Sequence, residues 1–232
     1  MHEYWALLIA YGVLVVAPFV LLVNDYEIPS ARMLDAAAQD DTANFSGSKI
    51  MLIRLEKFYH RINKVAGKIL SVVLVLMTLN IFYDVIMRYT FHNSSVGMQE
   101  MEWHLFSVMI LFGVSVALLD EAHVRVDFIY DRFSIRTKAV INIIGTIFFL
   151  LPLAILIFSG SIGFVQDAYQ IGEISEDPGG LRYRWIIKGM IPLAFAYLMF
   201  TAVGYTIQNV NLYRQAGLCE PESGGRAGEV KQ

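Results

Sequence analysis

The sequence predicts an all-α membrane protein: a four-helix transmembrane core plus an extra N-terminal transmembrane helix and an amphipathic interfacial helix. Three observations predict it. Hydrophobic residues make up 56% of the 232 and the mean hydropathy is +0.52, while charged residues reach only 17%, against about 25% in soluble proteins. The charges are clumped, and the runs between them are long enough to cross a bilayer, which takes about 20 apolar residues rising about 1.5 Å each. The short alternating segments of a transmembrane β-barrel are missing. A net charge of −3 gives no reason to expect nucleic acid. The single cysteine, Cys219, supplies neither an intrachain disulfide nor a clustered metal site.

Five segments qualify as spans. The first, Tyr4–Val23, is uncharged and broken only by Pro18. It reads as an uncleaved membrane helix, because Met1-His2-Glu3 lacks the basic leader of a secretory signal and no cleavage motif follows. Asn24–Ser48 is a polar linker in which Pro29-Ser30 offers a helix start. The second span covers about Val65–Met87, the third centres on Trp103–Leu119, the fourth is Ala139–Val165 and the fifth Trp185–Val210. Three units follow: an extra helix and linker over 1–48, a membrane domain over 49–214, and a polar tail over 215–232.

Ahead of the second span, Met51, Leu55, Phe58, Ile62, Val65 and Ile69 recur every three or four residues. Arg54, Lys57, Arg61, Lys64 and Lys68 recur at the same spacing on another face. One apolar and one basic stripe on a single helix predict an amphipathic segment lying on anionic membrane lipids and leading into the span. Lys and Arg also set the orientation. They crowd into the connector before the second span, the connector after the third (Arg125, Arg132, Arg136, Lys138) and the tail (Arg214, Arg226, Lys231). The opposite side holds only Arg88, Arg182, Arg184 and Lys188. The positive-inside rule places the C-terminal tail in the cytoplasm and the N-terminus outside.

Polar groups in membrane helices are costly, so they are the first candidates for function. Asn80, Asp84 and Arg88 form an i, i+4, i+8 stripe toward the outer end of the second span. Asp84 and Arg88 are spaced to pair as a structural, snorkelling ion pair, or to contact another subunit. After a short turn, Gln99, Glu100, Glu102 and His104 open the third span. The helix dipole accounts for one carboxylate there; an Arg88–Glu100 bridge across the hairpin would use another. Asp120 to Asp127 places His123, Arg125 and Asp127 between valines in the next connector, a half-buried surface segment or a docking surface. Gly113-x-x-x-Ala117 is a small-xxx-small packing signal.

Enzyme signatures are missing: the sequence has no HExxH, no P-loop and no GxSxG. Of the five histidines only His104 approaches the position a membrane haem ligand needs. No catalytic residue, metal ligand or cofactor is expected.

Asp84-Val-Ile-Met-Arg88-Tyr89-Thr-Phe91, Glu100-Met-Glu102-Trp-His-Leu105-Phe106 and His123-Val-Arg125-Val-Asp127, with Ser134 to Lys138 after them, together resemble the small (DctQ-type) membrane subunit of tripartite ATP-independent periplasmic, or TRAP, transporters. The resemblance covers about Arg54–Leu212, so residues 1–48 are an addition to the four-helix family core. It implies a non-catalytic subunit of the bacterial inner membrane that scaffolds a large permease subunit. In such systems a periplasmic solute-binding protein delivers the solute, and the large subunit carries the substrate and sodium sites. Glu176-Asp-Pro178-Gly179-Gly180-Leu181 looks like a branch associated with uptake of 2-oxo acids and other organic acids. The rival reading is a membrane anchor subunit of a respiratory enzyme, which a haem absorption band would reveal; another is a stand-alone membrane structural protein.

Overall fold

A computed structural model describes residues 47–120 and 133–216. The expected helix Tyr4–Val23, the linker after it and the polar tail beyond 216 lie outside these residues. All regular structure described is helical: α1 (Gly47–Thr90), α2 (Val96–Leu119), α3 (Ile135–Gly145), a π turn over Thr146–Leu150, α4 (Leu151–Ile171) and α5 (Arg184–Ala216). The α3–π–α4 run is one continuous rod. Among the described residues four segments are long and apolar enough to cross a membrane: Arg54–Thr90, Val96–Leu119, Ile135–Ile171 and Arg184–Arg214. These are the second to fifth expected spans, with longer ends.

Most large apolar side chains face outward. Phe148, Phe149, Leu153 and Leu156 are exposed on the α3–α4 rod, as are Val72, Leu76 and Leu79 on α1. This suits a bundle whose solvent is lipid, where helix association rests on close packing and hydrogen bonds and not on expelling water. The inner cluster is correspondingly small: Leu118 and Leu119 of α2, Ala154 of α4, and Leu198, Ala202 and Tyr205 of α5. α5 is the centre of the assembly, packing against α1, α2, α3 and α4.

Small residues set the closest approaches. A Cβ on Gly204 of α5 would stand 2.7 Å from the Tyr59 ring of α1, so only glycine lets these helices meet there. Gly113 meets nothing within 4 Å of where a Cβ would be; the small-xxx-small motif expected to pack is not a tight contact.

Two breaks have local causes. Pro152 lacks an N–H and its ring crowds the carbonyl four residues back. The π turn immediately precedes it, and the Leu151 N–H reaches the Thr146 carbonyl, five residues back. α4 ends where Gly172, at φ 64°, turns left-handed and the Glu173 N–H donates to the Ala168 carbonyl, the Schellman closure that glycine makes cheap.

One expectation needs correction. The basic amphipathic stretch is not a separate surface helix. It forms the first turns of α1, continuous with the span, and a third stripe of that helix (Glu56, Asn63, Gly67 and Leu70, all buried) packs on the bundle. Arg54, Lys57, Arg61, Lys64 and Lys68 all point outward.

Candidate functional site

Polar side chains gather at the two ends of the bundle. The middle of each span (69–83, 103–119, 139–166 and 189–213) contains no Asp, Glu, Lys or Arg.

At the end carrying the α1–α2 turn, Asp84 is 4% exposed and forms an ion pair with Arg88, which is itself about half exposed. One helical turn closer to the centre, the Asn80 amide donates to the Met98 carbonyl at 3.0 Å and ties α1 to the start of α2. Glu100 does not bridge to Arg88. It is buried, and its carboxylate accepts hydrogen bonds from the Ser175 hydroxyl and the Leu181 N–H. Both donors lie in the α4–α5 loop, so an acid near the start of α2 holds the loop of the opposite hairpin.

The loop is shaped to reach it. Gly179 sits at φ 87°, the Gly180 N–H closes a turn onto the Asp177 carbonyl, and the Ser175 N–H donates to the Leu181 carbonyl. A Cβ on Gly180 would collide with Ser175 and come within 2.9 Å of the Glu100 carboxylate, so side-chain-free backbone is needed for the clasp to close. The loop ends are joined as well. Lys188 pairs with Glu173 and lies 4.0 Å over the Phe164 ring, and the Arg184 guanidinium lies 5.8 Å over Trp103. Glu102 is partly exposed, and His104 hydrogen-bonds through Nδ1 to the Glu100 carbonyl.

The opposite end carries a network that the stripes in the sequence did not announce. Asn63 of α1 is 1% exposed and central to it. Its amide donates to the Val116 carbonyl and to Asp120 Oδ1, each at 3.0 Å, while its carbonyl oxygen accepts from the Tyr197 hydroxyl at 3.1 Å. One side chain therefore bonds α1, α2 and α5 together. His60 Nδ1 stands 4.0 Å from Asp120, and both ring nitrogens are buried without a hydrogen-bond partner. Burial pushes the Asp120 carboxyl above its ordinary value, and the Asn63 hydrogen bond partly offsets this. Further along, Asn211 donates to Glu56 at 2.7 Å and Asn142 to Asn209 at 2.8 Å, tying α1 and α3 to α5. The available signal was spacing: Glu56, Asn63 and Leu70 recur every seven residues, and Gln208, Asn209 and Asn211 interrupt an otherwise apolar span.

The structure thus brings Asp84 and Arg88 together, sends Glu100 to a different partner, and leaves Glu102 apart from both. His123, Arg125 and Asp127 lie outside the described residues. Among the described residues no cluster of His, Cys, Asp or Glu is arranged to hold a metal ion.

Residues 77–212 match the family model of the DctQ component of tripartite ATP-independent periplasmic transporters. The chain belongs to the DctQ family. The matched region takes in about the last third of α1, the clasp and nearly all of α5, but not the first thirty residues of α1, which hold Asn63. A protein of Haemophilus influenzae assigned as a TRAP transporter small permease is 26% identical over 124 residues, which is 53% of this chain and 77% of that one. As a DctQ component the chain is an integral membrane part of a transporter and not an enzyme. The clasp falls within the segment the family shares, as do the α2 and α5 members of the network.

Proposed function

We propose that this DctQ component is a scaffold for the large permease subunit of a sodium-driven TRAP transporter, taking up an organic acid delivered by a periplasmic solute-binding protein. The observation that carries this reading is the distribution of charge. Secondary transporters place substrate and ion sites near the bilayer midplane, and in this chain the middle of every described span is free of charged groups. Its polar side chains are instead spent on joining helices at the two ends. A bundle fixed at both ends and apolar between them is suited to stand still while a neighbour moves. Of the expected interface residues, Arg88 and Glu102 keep enough exposure for a neighbouring subunit to reach, Asp84 and Glu100 serve the bundle's own structure, and His123, Arg125 and Asp127 of the connector are further candidates.

The proposed orientation in the inner membrane puts the α1–α2 turn and the α4–α5 loop outside. The folded bundle supports it by collecting Arg54, Lys57, Arg61, Lys64, Lys68, Arg136, Lys138 and Arg214 at the other end, the distribution expected of a cytoplasmic face. The resemblance of the loop Glu176–Leu181 to a 2-oxo acid branch is the ground for the substrate class.

Reconstitution tests the function. The large subunit in liposomes, supplied with the solute-binding protein and a sodium gradient, should transport only when this chain is present. Solute affinity of the soluble protein should be the same either way. Full sodium-dependent uptake without this chain would overturn the scaffold reading, and uptake by this chain alone would reveal a site within it.

A further inference from the structure

The outward face of α1 carries an unbroken line of exposed apolar side chains along the length of its span. Val65, Ile69, Val72, Leu76, Leu79 and Tyr83 alternate in steps of four and three, and each is at least half exposed. The line continues toward the start of the helix through Phe58 and Met51. Over 65–83 the steps average 3.6 residues, so the line runs straight along one side of the helix, and a second straight helix of similar length can lie against it.

The sequence before α1 carries a seam to match. Tyr4–Val23 contains three alanines, Ala6, Ala10 and Ala17, and with Val13 they fall at steps of four, three and four. On a helix at about 100° per residue they occupy one narrow arc, with Gly12 well away from it. Small residues let helix backbones approach closely in lipid, where packing supplies the association energy. Here the small side chains are on one helix and the large ones on the other.

Length and tether agree. The ridge from Val65 to Tyr83 is about 27 Å long and a 20-residue helix about 30 Å. The first 46 residues end where α1 begins, at Gly47, which lies about 27 Å along the helix from Val65. The linker Asn24–Ser46 reaches more than twice that distance when extended, so it joins the inner end of one span to the start of α1 without strain. Sequential helices are commonly neighbours, and a tether of this length keeps the segment at high local concentration.

We propose that the apolar ridge of α1 is the seat of the chain's own N-terminal segment. Tyr4–Val23 crosses the bilayer antiparallel to α1 and lays Ala6, Ala10, Val13 and Ala17 along Val65–Tyr83. Pro18 sits near the inner end of this seam, where a kink leaves the pairing of Ala6 and Ala10 undisturbed. α1 is then covered on both sides, by α2 and α5 through its polar stripe and by the added helix through its apolar one.

Cysteine pairs in a Cys219→Ser background test this in native membranes. Antiparallel alignment puts Ala10 beside Leu76 and Ala17 beside Ile69. Oxidation of the Ala10→Cys/Leu76→Cys and Ala17→Cys/Ile69→Cys variants should give intrachain disulfides, read by mass spectrometry of joined peptides, several-fold more abundant than in Gly12→Cys/Leu76→Cys. Equal yields, no link, or dominant crosslinking of single Leu76→Cys to a second copy or to the permease would overturn the proposal. A second measurement needs no pair. A fluorophore on Leu76→Cys should be quenched several-fold more by brominated lipid once residues 1–46 are deleted. Unchanged quenching would mean that lipid already covers the ridge.

Discussion

Glu100 and Ser175, 75 residues apart in sequence, are joined by a hydrogen bond that closes the end of the bundle carrying the α1–α2 turn. The same carboxylate accepts the Leu181 N–H, so one side chain of α2 fixes two points of the α4–α5 loop. Glu100→Ala should leave the four helices assembled but release that loop, making protease cleavage between 173 and 183 several-fold faster in detergent. Glu100→Gln keeps an acceptor oxygen and should fall between. Cleavage as slow in Glu100→Ala as in the wild type would show that the loop holds itself.

Arg88 neutralises an acid that water barely reaches. Leaving a buried charged acceptor without its partner costs about 1–3 kcal/mol or more. Arg88→Ala should therefore lower thermal stability in detergent, and Asp84→Asn in the same chain should return much of the loss, since the stranded charge is then gone. If the double variant were no more stable than Arg88→Ala, the role of Arg88 would lie outside this ion pair.

Gly204 against Tyr59 tests the packing of α1 on α5. Gly204→Ala places a methyl group where the Tyr59 ring begins, an overpacking that costs about 1–3 kcal/mol. Tyr59→Leu should be mildly destabilising alone yet relieve part of the Gly204→Ala defect. Additive losses in the double variant, measured by thermal unfolding, would show that the two residues do not share a contact.

The network around Asn63 and Asp120 makes a prediction about pH. Burial raises the Asp120 carboxyl above its ordinary value of 3.8, so the folded protein holds this proton at pH values where the unfolded chain has lost it. Stability from this group is present below 3.8 and is lost as pH rises through the raised folded value, then stays flat above it. Asp120→Asn keeps an acceptor for the Asn63 amide and removes the titration. It should raise stability at neutral pH and flatten the slope on the acid side. A steeper slope in the variant would contradict the assignment.

Orientation is open to a single reagent. Cys219 is the sole thiol, and it should resist a membrane-impermeant maleimide in intact cells and react after lysis. Strong labelling before lysis would reverse the topology.

The spans were legible because a bilayer imposes a length and a composition on any helix that crosses it. The Asp84–Arg88 ion pair was legible because i, i+4 spacing is a local rule. The partner of Glu100 was not, since nothing at position 100 indicates a loop residue 75 positions later. α1 gives the clearest lesson. Its apolar and basic stripes were both visible, and the amphipathic reading assigned the apolar one to the membrane surface. In a lipid-solvated bundle the buried stripe is the third, built on Glu56, Asn63 and Leu70, because hydrogen bonds are what lipid cannot provide.

The π turn at Thr146–Leu150 has a consequence for the length of the rod. A π turn winds one more residue into its loop than an α turn does, so this rod carries a spare residue at mid-course. Losing that residue would let the turn relax toward α geometry while the flanking faces, Ala139 toward α5 and Ala154 toward the inner cluster, kept nearly their present bearings. An equal deletion in α5 would swing Asn209 and Asn211 away from Asn142 and Glu56. The two long helices thus tolerate change in length very differently, and related chains that differ by one residue here should fold alike.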